Sequence, residues 1–151
     1  MVKDFKSKIG IQNLVVAKYR NGRMVKGVTY NFGAEKKSFH VHPLKYGEGR
    51  GGLKRGIEVS YSDLKAIFFV KSLEGRKQPV NISKLLEEDY EESRTPMKVK
   101  VTFFDGETLI GTTYGYNRER EGFFLLPLEK DSNNIRVFVI FNSVKEIEFL
   151  S

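Results

Sequence analysis

Along this chain, apolar and polar residues alternate in ten short runs, the period of two that marks half-buried β-strands. The pattern predicts strands over 14–20, 23–33, 38–44, 57–61 and 64–70, then over 98–104, 107–117, 122–128, 136–141 and 144–150. Asn21-Gly22 and Asp105-Gly106 separate the first two strands of each set, and this dipeptide is the strongest short hairpin signal. A brief polar turn, Ser62-Asp63 or Asn142-Ser143, precedes each fifth strand.

The two sets are versions of one another. Shifted by 84, residues 15–44 align with 99–128 without a gap and with nine identities in 30, among them Gly22/Gly106, Gly27/Gly111, Tyr30/Tyr114 and Pro43/Pro127. At a shift of 80, residues 57–70 align with 137–150, and Lys65/Lys145, Ile67/Ile147 and Phe69/Phe149 coincide. This is an internal duplication. In "AKYRNGRMVKGVTYNF" (17–32) and "KVTFFDGETLIGTTYGY" (100–116) two glycines stand five apart. The first turns the hairpin, and the second, inside a strand where glycine marks a bulge, a bend or a close backbone approach, is expected to bend strand two so that it serves both halves of a small closed barrel.

Five short, bent strands per copy predict an all-β protein of two tandem five-stranded SH3-like or Sm-like barrels, packed together as a pseudo-dimer. The division reads as an N-terminal segment 1–13, a first barrel 14–70, a linker 71–96 and a second barrel 97–151. The linker carries "NISKLLEEDYEESR" and Pro96, which predicts a short acidic helix stopped by the proline. Phe68-Phe69, Phe103-Phe104 and Phe123-Phe124 put apolar groups on both faces of their strands, so a second surface must cover them, from the other barrel or from another protomer.

Composition narrows the function classes. The chain has 151 residues, 40% hydrophobic and 30% charged, without cysteine, which removes disulfides, thiolate metal sites and cysteine nucleophiles. No run is apolar for the length of a membrane span, and no secretion signal opens the chain, so the expectation is a cytoplasmic protein without membrane contact. The net charge of +7 is uneven: residues 1–75 hold 15 Lys/Arg against 6 Asp/Glu, while residues 76–151 hold 11 against 13. The basic half points to an anionic partner.

"VKVTFFDGETLIGTTYGY" (99–116) resembles the first motif of the Sm-like and Hfq family, with alternating apolar residues, Asp-Gly, and a glycine five further on. That resemblance implies the five-stranded fold and raises RNA binding. The chain departs from it where the family places its RNA contacts, reading "NFGAEKK" (31–37) or "GYNRERE" (115–121) after strand two and "YSDL" (61–64) or "FNSV" (141–144) before strand five, so no family binding residue carries over. "GFFLLPLEKDSNNIRVFV" (122–139) and "DLKAIFFVKSLEG" (63–75) make the whole chain similar to an uncharacterised bacterial family, loosely associated with PilZ-type cyclic-dinucleotide signalling proteins. Arg50 and Arg55 superficially match the arginine motif of PilZ domains, but the Asp-x-Ser-x-x-Gly motif is missing.

The loop "KYGEGRGGLKRG" (45–56) sets Lys45, Arg50, Lys54 and Arg55 among five glycines, a composition that can cradle phosphate; Arg20, Arg23 and Lys26 extend the basic patch. His40 and His42 share one strand face, but nothing completes a metal site, and no cofactor motif is present. Asp105/Glu107 and Glu119/Glu121 read as exposed turn carboxylates without a buried partner. No nucleophile or acid–base set emerges, so the chain reads as a non-enzymatic binding module. The expected partner is RNA or single-stranded DNA, held weakly and salt-sensitively by the basic first barrel. The alternative reading is a protein-interaction adaptor in bacterial signalling. Oligomeric state is left open by the sequence.

Overall fold

The alternation becomes strands with small changes of boundary. The structure, a computed structural model, describes residues 13–44, 55–73, 96–128 and 132–150. The strands are β1 (Asn13–Tyr19), β2 (Met24–Thr29), β3 (Ser38–Val41), β4 (Ile57–Ser60), β5 (Leu64–Val70), β6 (Met97–Phe103), β7 (Thr108–Thr113), β8 (Gly122–Pro127), β9 (Asn134–Ile140) and β10 (Val144–Leu150). Single 3-10 turns, Tyr61–Asp63 and Phe141–Ser143, lead into β5 and β10. The expected linker helix falls in 74–95, outside the described residues.

Both halves use one pairing scheme. In the second half the order is β10-β6-β7-β8-β9; in the first it is β5-β1-β2, with β3-β4 as a separate two-stranded ladder tied to β2 by the Val28–His42 bridge. All pairs are antiparallel. β9 then lies on the free edge of β5, pairing Ala66 with Val139 and Phe68 with Val137, so eight strands form one continuous sheet. The fold is therefore all-β, as expected, but no sheet closes into a barrel. The physical reason is that main-chain groups which closure would have paired within each half are spent on the β5–β9 junction instead.

That junction organises the core. Every residue of β5 is buried, and its two faces enter different clusters. Ile67 and Phe69 join Val15, Phe39 and Tyr61 of the first half, together with Phe138 and Ile140 of β9. Ala66, Phe68 and Val70 join Val99, Val101, Phe103 and Phe123 of the second half, together with Val137 and Val139. Each half thus completes the other's hydrophobic cluster, and the apolar doublet at Phe68-Phe69 is satisfied within the chain. Phe32 shows the closeness of the fit: its ring lies 5.2 Å from Phe138 and 5.8 Å from Phe124, both in edge-on contact.

The first glycine of each pair turns its hairpin as expected, while the second, expected to bend a strand for barrel closure, instead makes room for neighbouring backbone in a sheet that does not close. Gly22 and Gly106 take φ of +96° and +97° in their hairpin turns, a left-handed conformation that favours glycine. Gly27 and Gly111 give room for backbone: a Cβ at either would run into the carbonyl of His42 or of Leu126 on the neighbouring strand.

Candidate functional site

The β1–β2 hairpin carries most of the described cations that sequence reasoning singled out. Its turn is closed by Tyr19 N–H donating to the Arg23 carbonyl at 2.8 Å and by Gly22 N–H donating to the Tyr19 carbonyl at 3.0 Å. Asn21 caps it, its Oδ1 accepting from Arg23 N–H at 2.9 Å. Arg20 is fixed from behind, its backbone N–H donating to the Asp63 carbonyl at 3.1 Å and its guanidinium to the Ser62 carbonyl. Arg20, Arg23 and Lys26 are all exposed. Lys18, which the sequence reading left out, lies opposite Met24 on the same hairpin with its ammonium 4.5 Å from the Phe68 ring centroid.

Two clefts flank the hairpin where the halves meet. On the β2 side a groove of about 510 Å³ runs between Lys18, Met24 and Lys26 of the first half and Glu107 and Leu109 of the second, floored by Phe68. On the turn side a cleft of about 300 Å³ brings Arg20 together with Phe103, Phe104 and Asn142, with Lys65 and the carboxylate of Asp105 also in its wall. Phe104 is 70% exposed there. It aligns with Arg20 in the duplication, so the cleft pairs the same position of both copies, a juxtaposition only the junction creates.

The remaining predicted residues lie elsewhere. Lys45, Arg50 and Lys54 fall outside the described residues. Arg55 is exposed just before β4, next to Gly56, which sits against the His42 ring. His42 bridges Val28 near the far end of β2, so Arg55 is separated from Arg23 by most of that strand, about 15 Å. The described cations therefore form two places rather than one patch. The histidines are engaged with neighbours: His40 Nδ1 is 3.1 Å from Asn31 Nδ2, and His42 lies 5.7 Å from the Tyr30 ring. Among the described residues no three His, Asp or Glu side chains gather as a metal site.

The second hairpin reverses the charge, and here one expectation needs correction. Asp105 and Glu107 do have a nearly buried partner, Lys65 of β5, whose ammonium donates to Asp105 Oδ2 at 2.7 Å and to Glu107 Oε1. Lys65 also lies 4.8 Å from the Phe103 ring centroid. The sequence hid this because Lys65 belongs to the other half, 40 residues away from Asp105. Burial by itself pushes the Lys65 ammonium down, but its hydrogen bonds to Asp105 and Glu107 outweigh that and leave its pKa raised. The same bond from Lys65, helped by the Glu107 N–H, holds the Asp105 carboxyl below its ordinary value.

A lowered acid adds stability above its unfolded value, 3.8 for Asp105, and that stability is lost as pH falls through the lower folded value. A raised lysine adds stability below 10.5, lost as pH rises through the higher folded value. The melting temperature is thus expected to fall below about pH 4, with a smaller acid fall in Lys65→Met than in the parent. A series of melts from pH 2 to 7 checks it, and parallel curves for the two proteins would refute the coupling. By contrast, among the described residues no carboxylate lies within ion-pair distance of Arg20, Arg23, Lys26 or Arg55.

Residues 11–151 match the model of a family of unknown function (DUF6982), and the chain belongs to that family. No curated protein and no solved structure matches it. No helix among the described residues is long and apolar enough to cross a membrane.

Proposed function

We propose that this member of the family is a duplicated Sm-like unit that binds single-stranded RNA or DNA without catalysing a reaction, through the β1–β2 hairpin of its first half. One observation carries the reading: Arg20 and the exposed Phe104 share an open cleft, beside Arg23 and Lys26, and none of the three cations forms an ion pair with a described carboxylate, the Asp105 of that cleft being held by Lys65. Cations track a phosphate backbone, and an exposed ring beside them offers a platform for a base. In the equivalent hairpin Asp105, which lines the same cleft, and Glu107 are held by Lys65, so the cations that meet phosphate come from the first half while the second supplies the Phe104 ring. Contacts of this kind position the strand without reading sequence, and the expected binding is weak and salt-sensitive. Arg55, away from the hairpin, offers a second contact.

Fluorescence anisotropy with short single-stranded RNA and DNA over a range of salt tests this. Replacing Arg20, Arg23 and Lys26 together with alanine is expected to lower the salt slope by about two, at roughly 0.7 per lost phosphate contact. Phe104→Ala is expected to weaken binding by about 1–3 kcal/mol while leaving the slope alone, as loss of one stacked base would. Arg50→Ala with Arg55→Ala separates the loop's share. Unchanged binding in the triple variant, or no binding by the parent at low salt, defeats the proposal.

A further inference from the structure

The two ends of the strand order differ from its middle in a way that defines a second surface. At the middle, β9 adds to the edge of β5 and sends Phe138 and Ile140 into the first cluster, where Phe138 meets Phe32. β10 holds in the second half the place of β5 in the first, with Lys145, Ile147 and Phe149 aligned to Lys65, Ile67 and Phe69. Among the described strands β10 pairs only with β6, so among the described residues no backbone partner lies along its outer edge. Beside that edge is a cleft of about 290 Å³ walled by the rings of Tyr116, Phe141 and Phe149 with Val144 and Ile147, and bordered by Lys145, Glu146 and Arg118, whose guanidinium lies 4.9 Å from the Phe141 ring centroid. Tyr116 aligns with Phe32, and its ring lies 5.2 Å from Phe149, which is 49% exposed, and 5.6 Å from Phe141. The cleft is therefore the place that Phe138 fills at the internal junction.

We propose that the free edge of β10 takes an extended strand of another protein, one that alternates aromatic or aliphatic side chains with basic ones. The internal junction supplies the template, in which backbone pairing gives adhesion and alternate side chains give selectivity. One face of the incoming strand faces the cleft and needs apolar groups there, as β9 does. The other face meets Glu146 and Glu148, which stand where β5 has Ala66 and Phe68. Lys98 and Lys100 lie on the same side, but on β6, paired with Leu150 and Glu148. They are one strand further from the newcomer, about 10 Å against about 5 Å, so the carboxylates directly opposite decide the preference.

The same charges turn away a second copy of this chain. Its β4 aligns with β9, but Glu58 and Ser60 replace Phe138 and Ile140. The β5–β9 register carried to β10 would set Glu58 opposite Ile147 in the cleft, and Glu146 and Glu148 opposite Val59 and Ile57. Three carboxylates would be desolvated against apolar neighbours.

The test is anisotropy of a labelled short peptide alternating lysine with phenylalanine and isoleucine, titrated with the full chain, alongside light scattering of the chain alone. Saturable binding is expected, weakened at least about tenfold by Glu146→Lys with Glu148→Lys. It should also be weakened by Phe149→Ala and abolished by a proline at the centre of the peptide. Glu146, Glu148 and Phe149 are all exposed positions, and circular dichroism confirms that the variants are folded. No binding, binding indifferent to the charge reversal or to the proline, or self-association of the parent chain lost in Phe149→Ala would overturn the proposal.

Discussion

Phe138→Ala is expected to cost about 3–5 kcal/mol, a large part of the 5–15 kcal/mol that holds a domain together. Phe138 is fully buried, and its ring touches Phe32 at 5.2 Å, Tyr61 at 5.8 Å and Phe124 at 4.9 Å, so truncation opens a cavity walled by rigid rings that cannot collapse into it. The residue belongs to the second half by sequence and to the first half's cluster by packing. The loss should therefore appear in one cooperative transition of the whole chain rather than in one half. Urea unfolding followed by circular dichroism and by tyrosine fluorescence measures it. Coincident curves at a lowered midpoint are expected, while a second transition left at the parent midpoint would mean that the halves fold separately. Phe104→Ala, at a ring 70% exposed, is the internal control and should change stability by under about 0.5 kcal/mol.

Gly111→Ala is the second large effect, at about 3 kcal/mol or more. The new methyl would meet the Leu126 carbonyl, and that atom belongs to β8 backbone already paired with β7 through Thr112 and Leu126. Relief requires the two strands to part, which disturbs Leu125 and the second cluster. Gly106→Ala makes the comparison sharp. There a methyl has nothing within 4 Å, and only the φ of +97° is unfavourable, so the cost should be about 1 kcal/mol. Two glycines five residues apart would thus differ severalfold in thermal or urea stability, for separate reasons, steric in one and conformational in the other. Equal costs would mean that the Gly111 backbone has room that the β7–β8 spacing denies.

The cationic hairpin and the Lys65 cluster differ in how far sequence alone could have found them. Arg20, Arg23 and Lys26 are legible because a hairpin turn is local: Asn21-Gly22 fixes where the chain reverses, and charged residues around it have nowhere to go but solvent. Lys65 was not legible. Aligned with the exposed Lys145, it looks like one of two surface lysines, and its burial depends on the second half arriving over β5. Phe104 was partly legible as half of an aromatic doublet, but its exposure and its closeness to Arg20 arise from the same arrival.

What the sequence by itself determined is local and periodic. Alternation set ten strands within a few residues of their ends, the Asn-Gly and Asp-Gly pairs set the hairpins, and the matched glycines set the close approaches, because each depends on groups a few residues apart. The Phe68-Phe69 and Phe123-Phe124 doublets also announced strands covered on both faces, whereas Phe103-Phe104 did not, since Phe104 is 70% exposed. Tertiary structure alone decided which edge meets which. Barrel closure within each half and edge pairing between halves satisfy the same backbone donors and acceptors. The choice went to β5 and β9, where Ala66, Phe68, Phe138 and Ile140 make both faces apolar. At β4, in the separate ladder, and at β10, one end of the eight-stranded sheet, the aligned positions hold Glu58, Ser60, Glu146 and Glu148, whose burial against apolar neighbours would cost free energy.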